Sequence, residues 1–278
     1  MTNRRNFLKA TGMGMAATAL PMIGYSAYST QNHGTKSEIQ LGVASYSLRE
    51  FPMEQALDMT LRLGVNRIAF KSMHLPLDSS KETIQSAVAA CKDKGIVLYG
   101  AGVIYMKSKE EVDQAFDYAK TAGMEMIIGV PNHELLGYVE EKVKAYDIKL
   151  AIHNHGPGDD LYPSAESIYV KIKNMDKRMG LCLDIGHTVR IQLDPVHDMK
   201  NYFDRIFDVH LKDVTAARAD GANCIIGRGV IDIPSFLQAV NELGYSGTLA
   251  LEYEADKDDP LPGMMASIGY VQGVLATF

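Results

Sequence analysis

The chain has 278 residues, of which 46% are hydrophobic and 22% charged, with a formal net charge of −6 at neutral pH. This composition excludes wholesale disorder and suffices for a large core, and the length fits either two ordinary domains or one α/β barrel of about 250 residues. The acidic balance and the absence of a long basic run exclude nucleic acid as the main partner, because phosphate contacts need clustered Lys and Arg, and leave a small neutral substrate open.

At the amino terminus Arg4 and Arg5 precede Phe7, Leu8 and Lys9, then a mildly apolar stretch from Ala10 to Ile23, then small residues around Ser26 and Ala27. Charge, apolar run and small residues in that order are the layout of a secretory signal, and Asn3 to Lys9 resembles the twin-arginine export motif. The apolar run is too short and weak for a stable membrane span. Residues 1–30 are therefore set aside as a signal segment, and the mature protein is expected in a periplasm or outside the cell. Cys91, Cys182 and Cys224 are widely spaced and odd in number, which fits buried or incidental thiols better than a disulfide framework.

Beyond the signal, short apolar runs alternate with amphipathic segments. The strand candidates are Ile39–Ala44, Arg67–Phe70, Ile96–Ala101, Met126–Val130, Lys149–His153, Gly180–Asp184, Ile206–Leu211 and Thr248–Glu252. Helices between them carry start signals at Ser80 and Ser108, and Gly64, Gly95, Gly123 and Gly244 fall where a helix must stop. The turn after the first strand, Ala44-Ser45-Tyr46-Ser47, lacks the Gly-rich phosphate loop of an open doubly wound sheet. Eight βα units predict a single α/β domain over 36–278, a (β/α)8 TIM barrel, whose active site belongs at the carboxyl ends of its strands.

Four consecutive strands end in imidazole or carboxylate. Alternation along a strand puts His153 and His155 on one side of the fifth; the sixth stops on Asp184 with His187 three residues later. Asp208, His210 and Lys212 share a side of the seventh, and Glu252 and Glu254 a side of the eighth. Each alone has a plainer reading: Asp184 can cap the following helix, and Lys212 with Asp213 can be an exposed ion pair worth little. Converging together, such groups repel or titrate unless a cation compensates them. The set His153, Asp184, His210 and Glu252 is thus expected to hold one divalent ion of the Zn²⁺, Mn²⁺, Co²⁺ or Fe²⁺ type, for which mixed nitrogen and oxygen donors are suited. Lys71 and His74, after the second strand, can reach the same mouth, as can Tyr46.

The segments Ala151-Ile152-His153-Asn154-His155-Gly156, Leu183-Asp184-Ile185-Gly186-His187, Val209-His210-Leu211-Lys212-Asp213, Ile226 to Asp232 and Leu251-Glu252-Tyr253-Glu254 resemble the xylose-isomerase-like barrel proteins called sugar phosphate isomerases/epimerases, in a subgroup marked by His-Asn-His. The resemblance spans the chain after the signal. It implies that the last residues of strands five to eight ligate the metal, and that His187, Lys212 and Arg228 face substrate oxygens. In the ketose epimerases of this superfamily the first and last ligands are glutamates that also exchange the substrate's proton. His153 stands where the first would be, so the proton falls to Glu252, Glu254, Lys212 or His155.

The expected reaction is metal-assisted isomerisation or epimerisation next to the carbonyl of a carbohydrate, unphosphorylated because sugar phosphates are mainly cytoplasmic. The alternative is a lyase or hydratase acting on 3-keto-glycosides or their glycal products. An abasic-site endonuclease would need more ligands and a basic groove, and a non-catalytic sugar-binding barrel would not need four intact ligand positions. Self-association into a homo-oligomer stays open.

Overall fold

The structure, a computed structural model, describes residues 39–278. The signal segment and the expected domain start at residue 36 lie outside the described residues. In chain order the strands are β1 (Gln40–Ala44), β2 (Arg67–Phe70), β3 (Val97–Met106), β4 (Met126–Pro131), β5 (Lys149–His153), β6 (Met179–Asp184), β7 (Ile206–Leu211), β8 (Asp213–Val214), β9 (Asn223–Cys224) and β10 (Thr248–Leu251). The helices are α1 (Met53–Arg62), α2 (Lys81–Asp93), α3 (Lys109–Ala122), α4 (Leu136–Tyr146), α5 (Ala165–Ile172), α6 (Ile185–Arg190), α7 (Pro195–Asn201), α8 (Ile233–Glu242) and α9 (Leu261–Leu275).

Strands β1 to β7 and β10 close into a barrel in sequence order, every pair parallel, with β1 returning to β10 through Gln40 opposite Thr248 and Val43 opposite Leu251. Strands β8 and β9 form a small antiparallel ladder in the loop after β7. Ser47 helps close the ring: its hydroxyl donates to the Leu251 carbonyl at 3.2 Å and accepts from the Tyr253 amide at 2.8 Å. The predicted starts and stops hold, with Ser80 and Ser108 capping α2 and α3 and the four stop glycines at positive φ.

Seven of the eight expected barrel strands agree with the structure to within one residue, and β3 does not, running on to Met106. The Gly100 to Gly102 stretch suggests a break, yet Gly102 lies so close to β4 that a Cβ there would collide with the Ile128 carbonyl. After a register shift, Ile104, Tyr105 and Met106 pair with Gly129, Val130 and Pro131. The glycine permits close strand approach, and the extension carries Tyr105 to the barrel mouth.

Inside the barrel, Ala44, Ala69, Ala151 and Ala250 leave room for Tyr99, Met126, Ile128 and Cys182. This alternation of small and large side chains fills the barrel as a packed core with no pore. The main apolar layer lies between the barrel and its helices.

Candidate active site

His153 is the last residue of β5, Asp184 the last of β6, His210 sits one before the end of β7, and Glu252 follows β10. One donor atom from each of these buried residues lies within 4.8 Å of the others. His153 Nε2 is 3.0 Å from His210 Nδ1 and 3.4 Å from Asp184 Oδ2, and His210 Nδ1 is 3.0 Å from Glu252 Oε2. The two oxygens of Asp184 face different partners. Its Oδ1 accepts the His187 amide at 2.8 Å and caps α6, while Oδ2 faces the cluster, 2.9 Å from Lys212 Nζ.

Lys212 closes the cluster from the mouth. Its Nζ lies 2.9 Å from Asp184, 2.6 Å from Glu252 and 2.7 Å from Glu254, and the side chain is 3% exposed. Burial alone would lower its pKa, and the facing carboxylates overcome that and hold the ammonium well above its usual range. Burial likewise opposes ionisation of Glu252, and the charges of His210 and Lys212 outweigh it, keeping the carboxyl well below its usual value. His153 is pushed down by burial, the neutral state a metal ligand needs. Asp213 is buried too, so the exposed Lys212–Asp213 pair does not form. Its carboxylate accepts the amides of Val214, Gly227, Gly229 and Ile231 and shapes the loop that carries Arg228.

The remaining expected residues divide. His155 and His187 stand at the mouth, their ring centroids 4.4 Å and 5.9 Å from that of His153, and burial lowers the pKa of both. Lys71 reaches inward, donating to the Val103 carbonyl at 2.7 Å, with Tyr46 beside it. Glu254 is half-exposed above Lys212. Arg228 is exposed on its loop. His74 corrects the expectation of substrate contact: it is buried, with Nδ1 2.9 Å from Ser45 Oγ and Nε2 3.2 Å from the Leu48 carbonyl. Both ring nitrogens are occupied in tying the first two βα loops together.

Three contributors were missed. Tyr105, 46% exposed, stacks on His155 and brings its hydroxyl 3.1 Å from Nε2. Asn154 points away from its flanking histidines and pairs with the Asp184 backbone, its Oδ1 accepting the amide at 2.9 Å and its Nδ2 donating to the carbonyl at 3.2 Å. Asn223 accepts the Glu254 amide at 3.0 Å. The side-chain alternation that placed His153 and His155 inward already sends Asn154 toward the neighbouring strand; nothing local signals Tyr105.

A family model described as xylose isomerase-like TIM barrel matches residues 53–272. The chain belongs to that family. Among structures of this barrel type, IolI with a bound zinc atom superposes with a TM-score of 0.73 at 16% identity, covering 86% of this chain and 99% of that one. L-ribulose 3-epimerase superposes at 0.70 and 17% identity, covering 86% and 95%; identities this low speak for the fold. In sequence, the rhizopine catabolism protein MocC of Rhizobium meliloti is 29% identical over 145 residues, 47% of this chain and 44% of that protein. An inosose dehydratase of Salmonella agona is 31% identical over 136 residues, 42% and 44%. These matches span less than half the length of either curated relative. The relatives matched in sequence thus include a dehydratase. A twin-arginine signal matches residues 1–21, so the chain is exported by that pathway to the periplasm. Among the described residues no helix is long and apolar enough to cross a membrane.

The donor set of this xylose isomerase-like barrel fits a metal ion on its own geometry. Asp184, Glu252 and Glu254 carry more negative charge than the single ammonium of Lys212 balances, and the facing carboxylates outweigh burial and raise the pKa of His210. Asp184 Oδ2, paired on one side with Lys212 Nζ at 2.9 Å, aims into the space between the imidazoles, 3.4 Å from His153 Nε2 and 3.9 Å from His210 Nδ1. Two nitrogens and two oxygens suit a borderline or transition-metal cation better than Ca²⁺ or Mg²⁺.

Proposed function

We propose that the chain is a metal-dependent enzyme that removes a proton next to the carbonyl of an unphosphorylated keto-sugar and so isomerises or epimerises it, working as one barrel domain over 36–278. The convergence of the His153, Asp184, His210 and Glu252 donor atoms at the carboxyl end of the barrel, with Lys212 directly above them, carries this reading. One divalent ion, of the Mn²⁺, Co²⁺, Zn²⁺ or Fe²⁺ type, would be held by those four residues and would supply Lewis acidity for the negative charge that develops as the proton leaves.

The chain's own side chains supply the rest. Lys212 Nζ places a fixed positive charge beside the same developing charge and holds Glu252 and Glu254 in position. Glu254, reachable from solvent above Lys212, is the carboxylate we assign to take the carbon-bound proton, with Glu252 behind it. Across the mouth His155, neutral because burial lowers its pKa, is the second proton carrier, steadied by Tyr105. His187, Lys71 and Arg228 are the candidates for binding substrate hydroxyls. Export from the cytoplasm favours an unphosphorylated substrate.

Elimination or hydration on 3-keto-glycosides is the second reading, and His153 favours it. An imidazole ligand in place of a glutamate leaves the carboxylates on one side of the site, enough to start an enolisation that ends by losing a β-substituent. The likeness to inosose dehydratases points the same way.

Both readings require removal of the α-proton. In D2O, with Mn²⁺, Co²⁺ or Zn²⁺ supplied, NMR should show deuterium entering the α-carbon of a ketohexose or of a methyl 3-keto-glucoside. Inverted configuration marks epimerisation and released methanol marks elimination. No exchange, no inversion and no released methanol across the ketoses and 3-keto-glycosides would overturn enolisation altogether.

A further inference from the structure

Strand β7 presents three side chains to the barrel interior in a column, with Asp208 deepest, His210 at the cluster and Lys212 at the mouth. The lower two each lack something. His210 turns Nδ1 toward Glu252 and His153, both at 3.0 Å, while its buried Nε2 has no hydrogen-bond partner. Asp208 is fully buried, and the side chains that reach it across the barrel do so at long range, the Tyr99 hydroxyl at 3.3 Å and the Cys182 thiol at 3.7 Å. Its Oδ2 lies 3.9 Å from that same His210 Nε2.

A carboxylate in a barrel core is costly to bury, and one below the mouth cannot touch a substrate. A buried imidazole nitrogen facing it without a partner is the second half of the same puzzle. A ring or carboxylate shift of about 1 Å would bring the two within hydrogen-bond range.

We propose that Asp208 is a positioning residue for His210: it accepts the Nε2–H and so fixes the tautomer that leaves the Nδ1 lone pair free for the metal. Tyr99 and Cys182 hold the carboxylate in place from across the barrel. The inference rests on the metal-site reading above. Its physical point is competition for one proton. Glu252 sits where it can draw a proton onto Nδ1, which would block the ligand atom, and Asp208 draws it to the far side of the ring. An imidazole tethered at its second nitrogen is also a better oriented and more basic ligand.

The test compares Asp208→Leu, Asp208→Asn and Tyr99→Phe in the full barrel chain. Zn²⁺ affinity is measured by chelator competition, and the His210 tautomer by ¹⁵N NMR of the zinc-loaded, histidine-labelled protein. Asp208→Leu should weaken zinc binding by about 10- to 100-fold and remove the hydrogen-bonded Nε2–H signal. Asp208→Asn, whose amide oxygen still accepts from Nε2, should recover most of the affinity, and Tyr99→Phe should cost a few-fold. Unchanged affinity in Asp208→Leu, or equal losses in the Leu and Asn variants, would overturn the proposal. Should the Leu variant fail to fold, unchanged affinity in Tyr99→Phe would overturn it. Wild-type protein that binds no zinc would instead bring down the metal-site reading, and this inference with it.

Discussion

Lys212 brings one positive charge into a buried space that it shares with Asp184, Glu252 and Glu254. Removing it leaves carboxylates buried without their counter-charge, a loss on the order of 3–5 kcal/mol when one partner of a buried pair is deleted. Lys212→Met should therefore lower the thermal midpoint of metal-free protein markedly, and much less once Zn²⁺ is present to balance the same charges. Equal destabilisation in both states, read by calorimetry, would show that the lysine and the metal do not share one electrostatic site. In the sequence Lys212 and Asp213 read as well as a surface ion pair, because a strand end does not reveal what packs over it. Asp213 is covered by the Gly227 to Ile231 segment after β9, and Lys212 packs over Gly186 against Asp184 and Glu252. His74 failed for the complementary reason: its position after β2 was right, but its ring turns to Ser45 and Leu48 in the neighbouring loop, a choice that local sequence does not encode.

At the scale of elements, the loop after β7 depends on one carboxylate. Asp213 gathers four amides, and Gly229 lies against it so closely that an added Cβ would collide with Asp213 Oδ1 and the Val214 carbonyl. Gly229→Ala should cost about 1–3 kcal/mol, the usual range for forcing an extra carbon into packed structure, and should move Arg228 with the displaced loop. The measurement is the urea midpoint together with KM; an unchanged midpoint would mean that the loop is not tied down as the amide contacts indicate. The Ile226 to Asp232 segment was legible as a motif, while the hub that organises it was not, since its partners lie up to 18 positions from Asp213. The β3 extension was hidden in the same way, because a glycine that admits a neighbouring strand and one that ends a strand look alike until the neighbour is known.

At the scale of the molecule, eight βα repeats make the barrel readable from sequence, because each repeat carries its own period and stop signal and closure follows from their number. The convergence of the four candidate ligands was readable for a related reason: the fold delivers the last residues of neighbouring strands to one place, so strand ends in chain order become a cluster in space. Which nitrogen each imidazole turns inward, and which residue lies beneath it, depends on side-chain packing across the barrel and emerges only in three dimensions. The central claim is that this convergence binds a metal on which turnover depends. Its most direct test is elemental analysis of the purified protein alongside turnover of a methyl 3-keto-glucoside or a ketohexose. The account predicts about one transition-metal ion per chain, with metal and turnover lost together on chelation or in Asp184→Ala and restored to the chelated wild type by Mn²⁺, Co²⁺ or Zn²⁺. Protein that is free of metal and fully active would contradict it.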